Sequence, residues 1–262
     1  MRTTFPAALS IAGSDPSGGA GIQMDLKAFT ATGVWGMAVI TALTAQNAAE
    51  VTGSWPISPD IIREQFSAVL DDITPRAIKT GMLANAKIIR VVDDSLPSHV
   101  PLIVDPVMIS TSGYRLLDDE SVCDLCECLI PRAHLVTPNI PEAEILARIK
   151  ILRQEDMITA ATTIRDLGAK QVLIKGGHGR GNESIDYLIQ DDLITAFHHP
   201  RLPYEVHGSG CFLSAAITGY IAHGDDDITA CQKATDLINK GIKNALIGRK
   251  QHYMIQPINL CG

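Results

Sequence analysis

The sequence predicts an α/β fold with a mostly parallel central sheet and helices on both faces. Short apolar runs alternate with amphipathic stretches of helical length along most of the 262 residues. Such alternation implies βαβ crossovers, which place helices on both faces of a parallel sheet. The apolar runs are continuous, as in strands that are buried on both faces. No linker-like segment and no change of composition divides the chain, so we expect one domain over residues 1–262.

The predicted elements follow from the spacing of apolar residues. The first strand is expected at 8–13 and the first helix at 21–33, where Ile22, Leu26 and Phe29 fall on one helical face. The other strands of the sheet are expected at 39–46, 77–83, 101–108, 133–139 and 171–177, and the helices between them at 59–73, 86–96, 118–130, 141–149 and 155–167.

Pro59 and Gly168 mark helix ends in this pattern. Pro59 stands in a first helical turn, where its missing N–H has no intrahelical partner in any case, and Gly168 stands where a C-cap glycine is expected. The alternation then changes: two β-like runs between 184 and 206, joined by QDD, predict a hairpin or edge strands appended to the sheet. Two long helices are expected at 210–222 and 227–247.

Composition narrows the function to small-molecule chemistry. The chain is 46% hydrophobic and carries a net charge of -7 at pH 7, without a dense Lys/Arg run. This charge argues against binding to nucleic acid or to an anionic membrane. The first residues hold one Arg and only a short apolar run, so we expect no signal peptide, no membrane span and a cytoplasmic protein.

The six cysteines do not indicate a disulfide scaffold, because they are sparse in a chain of this length. Three of them, Cys123, Cys126 and Cys128, lie in SVCDLCECLIP, which allows either a metal site or helix packing. No second CxxC motif and no His at ligand distance accompanies them, and the apolar positions around them form a helical stripe. We therefore favour packing and expect no metal-thiolate site.

Polar and glycine-rich residues recur where the predicted strands end. Ligands of open α/β sheets bind outside the carboxyl ends of the strands. Loop residues are polar in any protein, but joint placement at one edge of the sheet predicts a binding site there. The segments concerned are 13–21, 46–47, 80–82, Asp105, 137–139 and 176–178.

The loop GSDPSGGAG, residues 13–21, lacks the known nucleotide-binding glycine motifs. Neither the dinucleotide fingerprint GxGxxG nor the P-loop pattern GxxxxGKS is present. Its four glycines allow the backbone to approach a ligand closely, and a plain tight turn is the alternative.

The segment HGSGC, residues 207–211, precedes an apolar helical run and is the stronger candidate for phosphate binding. Successive backbone N–H groups at a helix start can face one point and form an anion hole for a phosphoryl group in transfer. Cys211 has two interpretations: it packs at the helix start, or it is a thiol whose pKa the helix dipole lowers and which acts as a base. The donors would belong to Gly208, Ser209, Gly210 and Cys211.

Two carboxylates suit a magnesium site beside this turn. Asp105 follows a predicted strand, and Glu142 lies in TPNIPEAE. Mg2+ prefers hard oxygen ligands of this kind together with substrate phosphates. Glu142 also stands three residues after Asn139, which is the spacing of a capping box, so both roles stay open. Lys175, at a strand end, is either a phosphate ligand or an ordinary lysine.

Seven segments occur in the order of a known family. They are AGSDPSGGAGIQMDLKAF, VITALTAQN, KTGML, VDPVM, TPNIPEAE, LIKGGH and HGSGC, between about residue 7 and residue 220. Together they resemble the hydroxymethylpyrimidine/phosphomethylpyrimidine kinases of thiamine biosynthesis, in the ribokinase-like superfamily. The resemblance implies a ribokinase-like fold and a two-step enzyme. ATP phosphorylates 4-amino-5-hydroxymethyl-2-methylpyrimidine, and a second ATP converts the monophosphate to the diphosphate.

The resemblance also implies roles for individual residues. Gln46 would hydrogen-bond the aminopyrimidine, and Cys211 would take the place of the catalytic base. The pocket would be lined by Gly13, Asp25, Met82 and Val107. ATP would be bound by Asn139, Lys175 and Gly177, and Mg2+ by Asp105 and Glu142. Ribokinase-like enzymes are often dimers, so a homodimer is expected.

Two rival functions remain. Pyridoxal kinase, in the same superfamily, also phosphorylates a hydroxymethyl group on a six-membered nitrogen heterocycle; Gln46 favours the pyrimidine, since similar enzymes specialised for pyridoxal tend to lack it. A non-catalytic pyrimidine-binding protein is the rival of another class. Intact Cys211, Asp105 and Glu142 weigh against it. The turn reads GSGC where the family more often has GTGC, which leaves the backbone donors unchanged.

Overall fold

A computed structural model of the chain describes residues 5–110, 113–176, 183–191, 193–200, 206–250 and 252–256. The strands are β1 (Ala7–Ser14), β2 (Trp35–Gln46), β3 (Val51–Pro56), β4 (Ala77–Thr80), β5 (Leu102–Val104), β6 (Leu135–Val136), β7 (Gln171–Ile174), β8 (Glu183–Gln190), β9 (Leu193–Pro200), β10 (Val206–His207), β11 (Leu246–Ile247) and β12 (Tyr253–Met254). The helices are α1 (Gly21–Ala31), α2 (Pro59–Asp72), α3 (Ala86–Ser95), α4 (Asp119–Asp124), α5 (Ile140–Ala147), α6 (Gln154–Asp166), α7 (Ser209–His223) and α8 (Asp227–Lys243).

Within the described residues, nine strands form the central sheet, in the order β3-β2-β1-β4-β5-β6-β7-β8-β9. The pairs from β2 through β1, β4, β5 and β6 to β7 are parallel. The outer strands β3, β8 and β9 pair antiparallel with their neighbours. The predicted mostly parallel sheet is therefore confirmed, and the predicted hairpin between 184 and 206 is confirmed as β8 and β9.

Each face of this sheet is covered by its own set of helices. Leu9 and Ile11 point to the face packed by α2 to α6, whereas Ala8 points to the face packed by α1, α7 and α8. The alternation along β1 explains why the parallel strands are apolar at nearly every position. Helix α7 approaches α1 closely at Gly219, where a Cβ would lie 2.2 Å from Oγ1 of Thr32.

Short polar side chains begin several helices. Ser58, Asn85, Asn139 and Asp226 each accept a hydrogen bond from a backbone N–H in the first turn of α2, α3, α5 and α8, respectively. The capping box expected at Asn139 and Glu142 is confirmed. Gly168 follows α6 with a φ of 115°, which confirms the predicted glycine at that helix end.

The structure departs from the sequence pattern at three places. Strand β3 was not predicted, because its turn from β2 uses Asn47 rather than a glycine or proline: the Asn47 side chain accepts from the N–H groups of Ala49 and Glu50. The predicted helix over 118–130 is α4 followed by a π turn and a 3-10 turn. The last helix ends at Lys243 rather than 247.

A small second sheet joins the chain near residue 254 to the HGSGC turn. Strand β12 pairs parallel with β10 and antiparallel with β11. Residues 246–247, expected to be helical, therefore form β11 instead. None of the helices in the described part of the chain is both long and apolar enough to cross a membrane.

Candidate active site

The glycine loop at residues 13–21 and the HGSGC turn at residues 207–211 touch each other at the carboxyl edge of the sheet. A Cβ on Gly208 would lie 1.8 Å from the carbonyl oxygen of Gly19, and a Cβ on Gly19 would lie 2.6 Å from Cδ2 of His207. Gly208 also has a φ of 75°, a conformation that favours glycine. The two glycine-rich segments predicted from sequence therefore form one continuous backbone surface.

Helix α7 begins in the HGSGC turn with N–H donors that have no acceptor within the helix. The N–H groups of Ser209, Gly210 and Cys211 lie in its first turn, where an α-helix has no internal acceptor for them. The Lys175 ammonium lies 3.1 Å from the position that a Cβ on Gly210 would occupy. A helix N-terminus and an ammonium at one point favour a multiply charged anion such as a phosphoryl group.

Cys211 lies in this first turn, and the residue as a whole is half-buried. Burial raises the pKa of Cys211 to about 11; the Lys79 ammonium and a hydrogen bond from the N–H of Gly21 oppose the rise, and Asp105 and Asp25 add to it. The expectation that the helix dipole lowers this pKa is therefore wrong for the protein without ligands. Loss of hydration outweighs the Lys79 ammonium and the Gly21 hydrogen bond, which favour the thiolate.

A fully buried ion pair lies behind the thiol. Lys79 donates to both carboxylate oxygens of Asp25 at 2.9 Å, and the Ser10 hydroxyl donates to Asp25 at 2.6 Å. Burial alone would lower the pKa of Lys79, but the Asp25 carboxylate and its other negative neighbours raise it above the usual range. Asp25 has no exposed surface. Its carboxylate pairs with the Lys79 ammonium. Contrary to expectation, it does not line an open pocket.

A second buried cluster joins Lys175 to two carboxylates. Lys175 donates to Asp105 at 2.8 Å, and the Ser214 hydroxyl donates to the other Asp105 oxygen at 2.9 Å. Burial raises the pKa of Glu142 to about 7, with Lys175 opposing and Asp105 adding to the rise. Burial alone would lower the pKa of Lys175, but Asp105 and Glu142 raise it. Asn139 lies against this cluster through a backbone bridge to Lys175.

The donor set of this cluster suits Mg2+ in part. Asp105 and Glu142 supply hard oxygen atoms. Their two carboxyl groups outnumber the single ammonium of Lys175. Within the described residues, no three His, Cys, Asp or Glu side chains are grouped to hold a metal by themselves. A Mg2+ ion at Asp105 and Glu142 would therefore depend on phosphate oxygens and water for its other ligands.

The raised pKa of Glu142 predicts a pH dependence of stability. The folded protein keeps the Glu142 proton up to about pH 7, whereas the unfolded chain loses it near pH 4.5. The free energy of unfolding should therefore fall as pH rises between these values, by up to about 3 kcal/mol from this group. Urea unfolding of the wild type and of Glu142→Gln, which keeps an oxygen acceptor for Asn139, measures the difference. Parallel curves for the two proteins across this range would contradict the assignment.

Gln46 meets the HGSGC turn through His207. The Gln46 amide nitrogen lies 3.4 Å from Nε2 of His207, and the same Nε2 lies 3.0 Å from Oδ2 of Asp15. Asp15 in turn accepts from the N–H and hydroxyl of Ser17 in the glycine loop. Gln46 is thus held at the point where the two glycine-rich segments meet.

Gly13, near the end of β1, and Met82, just after the neighbouring strand β4, lie side by side. The N–H of Gly13 donates to the carbonyl of Met82 at 3.1 Å, and a Cβ on Gly13 would lie 3.0 Å from the Met82 sulfur. Val107, half-buried, follows Asp105 after β5. Gly177 lies outside the described residues. Apart from Gly177, the predicted site residues occupy the carboxyl edge or, like Asp25, lie just beneath it.

The sequence reasoning missed Lys79, His207, Asp15 and Ser214 as site residues. A signal was present for Lys79. It stands in the short strand AIKT, which is buried at every position, and its partner Asp25, which was predicted, falls on the buried face of α1. Two opposite charges in buried positions of adjacent elements indicate a pair, because an unpaired buried charge is costly.

The comparison with known proteins settles the family. The family described as phosphomethylpyrimidine kinase matches residues 15–256. The chain belongs to this family. The hydroxymethylpyrimidine/phosphomethylpyrimidine kinase of Bacillus subtilis (strain 168) is 43% identical over 243 residues, which cover 91% of this chain and 90% of the relative.

Two solved structures place this family member among its neighbours. A phosphomethylpyrimidine kinase from Clostridium difficile 630 has a TM-score of 0.80 and 44% identity, covering 90% of this chain and 99% of that chain. An ADP complex of Bacillus subtilis pyridoxal kinase has a TM-score of 0.88 and 33% identity, covering 97% and 98%. This member of the phosphomethylpyrimidine kinase family has the ribokinase-like α/β fold that the sequence predicted.

Proposed function

We propose that this chain transfers a phosphoryl group from ATP to 4-amino-5-hydroxymethyl-2-methylpyrimidine, and a second one to the resulting monophosphate, in thiamine biosynthesis. Membership of the phosphomethylpyrimidine kinase family supports the reaction class. The ADP complex of a related pyridoxal kinase supports the use of ATP. The observation that carries the proposal is the contact of the HGSGC turn with both the glycine loop and Gln46. A phosphoryl group and a small heterocycle would meet there.

The HGSGC turn and Lys175 would hold the phosphoryl group during transfer. Backbone N–H groups of the first turn of α7 are fixed in place, so they stabilise charge on the transferred group without reorganisation. Lys175 lies at the same point. Burial acts to lower its pKa, but Asp105 and Glu142 raise it, so the side chain stays a charged ammonium. Mg2+ held by Asp105 and Glu142, with Asn139 beside them, would neutralise charge on the phosphate oxygens.

Gln46 would recognise the ring of the substrate. An amide both donates and accepts, which suits a ring nitrogen beside an amino group. Gly13, Met82 and Val107 would pack against the ring, since Gly13 leaves the space that a side chain would fill. Cys211 would take the proton of the hydroxymethyl group as the oxygen attacks phosphorus. Lys79 would favour the thiolate that this step needs.

Gly208 provides a test of the phosphoryl-binding role. Gly208→Ala forces a Cβ into the carbonyl of Gly19 and strains a positive φ, so the two loops must separate. We expect the single-turnover rate with Mg-ATP to fall by at least about tenfold. Gly224→Ala, at the other end of α7, is the control: its φ is 100°, but nothing lies within 4 Å of the added atom. It should cost about 1 kcal/mol of stability and leave the rate unchanged. Equal rate losses in both variants would contradict the role.

Pyridoxal phosphorylation is the second candidate, because the pyridoxal kinase neighbour has the higher TM-score, 0.88 against 0.80. Gln46 supports the pyrimidine. The deciding measurement is kcat/KM for pyridoxal and for 4-amino-5-hydroxymethyl-2-methylpyrimidine under the same conditions. A large preference for pyridoxal would replace the first assignment by the second.

A direct assay tests the proposed function as a whole. The purified protein is incubated with Mg-ATP and the hydroxymethyl pyrimidine, and the products are identified by mass. We expect the monophosphate and then the diphosphate. Binding of the pyrimidine without release of ADP would instead support a non-catalytic binding protein. A homodimer in the cytoplasm is part of the proposal, and light scattering of the purified protein tests its mass.

A further inference from the structure

We propose that His207 is a positioning residue that fixes which edge of the Gln46 amide faces the ligand. Through Gln46, His207 would select a ring in which an amino group stands beside an unprotonated ring nitrogen. This role depends on the proposed function, in which Gln46 binds the pyrimidine. It deepens that function by naming the residue that sets the hydrogen-bond pattern of the site.

The contact with Asp15 fixes the proton on His207. Nε2 of His207 lies 3.0 Å from Oδ2 of Asp15, and both side chains are buried. Although burial acts to raise the pKa of Asp15, hydrogen bonds from His207 and Ser17 hold it below its usual value. An ionised carboxylate only accepts hydrogen bonds. Nε2 of His207 therefore carries a proton that points to Asp15, and it has no lone pair with which to accept from an N–H of its other neighbour, Gln46.

A second contact limits the other side of the amide. The Thr44 hydroxyl donates its single proton to the carbonyl of Ser14 at 2.7 Å. The same hydroxyl lies 3.3 Å from Oε1 of Gln46, and because its proton goes to Ser14 it can only accept there, which requires an amide N–H in place of that oxygen. A 180° rotation of an amide exchanges its oxygen and nitrogen without moving other atoms, so the hydrogen-bond partners decide its orientation.

Both neighbours require the same orientation of the amide. We therefore infer that the amide is rotated by 180° from the contacts given above: the Gln46 oxygen faces the protonated Nε2 of His207, and the Gln46 nitrogen faces the lone pair of Thr44. One lone pair of the oxygen and one hydrogen of the nitrogen remain for the ligand. This pair matches an exocyclic amino group beside a ring nitrogen, and it opposes a ring carbonyl beside a ring N–H, where like groups would face each other.

Two pyrimidines with opposite patterns test this role. One is 4-amino-5-hydroxymethyl-2-methylpyrimidine, and the other is its 4-oxo analogue, in which the donor and the acceptor change places. The Kd of each is measured by calorimetry without nucleotide, so that a protein that binds but does not transfer still gives an answer. The wild type should prefer the amino compound by about ten- to a hundredfold.

His207→Phe should bring the ratio of the two Kd values close to one, and His207→Gln, which keeps a donor, should keep most of it. Thr44→Val should lower the ratio and Thr44→Ser should keep it, which supplies a second pair if His207→Phe fails to fold. Thr52→Val, which loses a hydroxyl elsewhere on the β2–β3 hairpin, is the control and should match the wild type. If His207 had a merely structural role, its substitution would raise both Kd values by the same factor and leave their ratio unchanged.

Three results overturn the inference, and they are distinguishable from one another. A wild type that binds and phosphorylates the amino compound while His207→Phe and Thr44→Val keep the wild-type ratio contradicts the role of His207 alone. A wild-type ratio near one contradicts the fixed orientation of Gln46. A wild type that binds neither pyrimidine contradicts the proposed function, and the role of His207 with it.

Discussion

Replacement of Cys211 by alanine is expected to slow the first phosphoryl transfer by about 10²- to 10⁴-fold and the second by less than about tenfold. The first acceptor is a neutral hydroxyl, which must lose a proton as it attacks. The second acceptor is a phosphate oxygen that is already anionic, so a base contributes little there. Single-turnover rates with the alcohol and with the monophosphate, each at saturating Mg-ATP, separate the two steps.

The pH dependence of the two steps provides a further check. Because burial raises the pKa of Cys211 to about 11, the thiolate is a small fraction at neutral pH and grows through the alkaline range. The first transfer should therefore speed up from pH 7 to pH 9 in the wild type and lose this dependence in Cys211→Ala. Cys231→Ala, which removes a buried thiol in α8, is the matched control and should leave both rates unchanged. Equal losses in both transfers for Cys211→Ala would contradict the role of a base.

Replacement of Lys79 by methionine is expected to lower the free energy of unfolding by about 3 to 5 kcal/mol. Both side chains of the Lys79–Asp25 pair are completely buried, so the substitution leaves a carboxylate without its counter-charge in the core. The hydrogen bond from Ser10 remains but carries no charge. Equilibrium unfolding in urea, followed by circular dichroism, measures the loss.

A second substitution distinguishes loss of a charge pair from loss of packing. Lys79→Met combined with Asp25→Asn removes both charges and should regain a large part of the stability. The first phosphoryl transfer should be slower than in the wild type in both the single and the double variant, because both lack the ammonium near Cys211. Lys150→Met, which breaks an exposed pair with Glu144, is the control and should cost less than about 1 kcal/mol. A loss below that value for Lys79→Met would contradict the buried ion pair.

The sheet and its helices were predictable because their signals are local. Continuous apolar runs marked the parallel strands, and caps such as Asn139 and Gly168 marked helix ends. Strand β3 lacked these signals, since Asn47 makes its turn and none of its six residues is buried. The end of α8 was missed for a related reason: β11 forms only because β12 lies beside it.

Candidate site residues at strand ends could be predicted from the sequence. Contacts between pairs of residues distant in sequence could not. Gln46 and Asp105 were found because each stands at a strand end. His207 and Asp15 are 192 residues apart in the sequence. The spacing of apolar residues predicts local elements and cannot predict such a contact. The shift of the Cys211 pKa was predicted in the wrong direction. The sequence indicates that Cys211 begins a helix, but the desolvation of its thiol depends on tertiary packing.

Strand β12 has a consequence for biosynthesis of the protein. It lies against β10 immediately before the HGSGC turn, and the Met254 side chain lies 3.4 Å from where a Cβ on Gly19 would stand. A nascent chain on the ribosome can assemble the parallel strands while these residues are still in the exit tunnel. The HGSGC turn gains its flanking strand only after residue 254 has emerged, so this edge of the candidate site is completed after the parallel strands have paired.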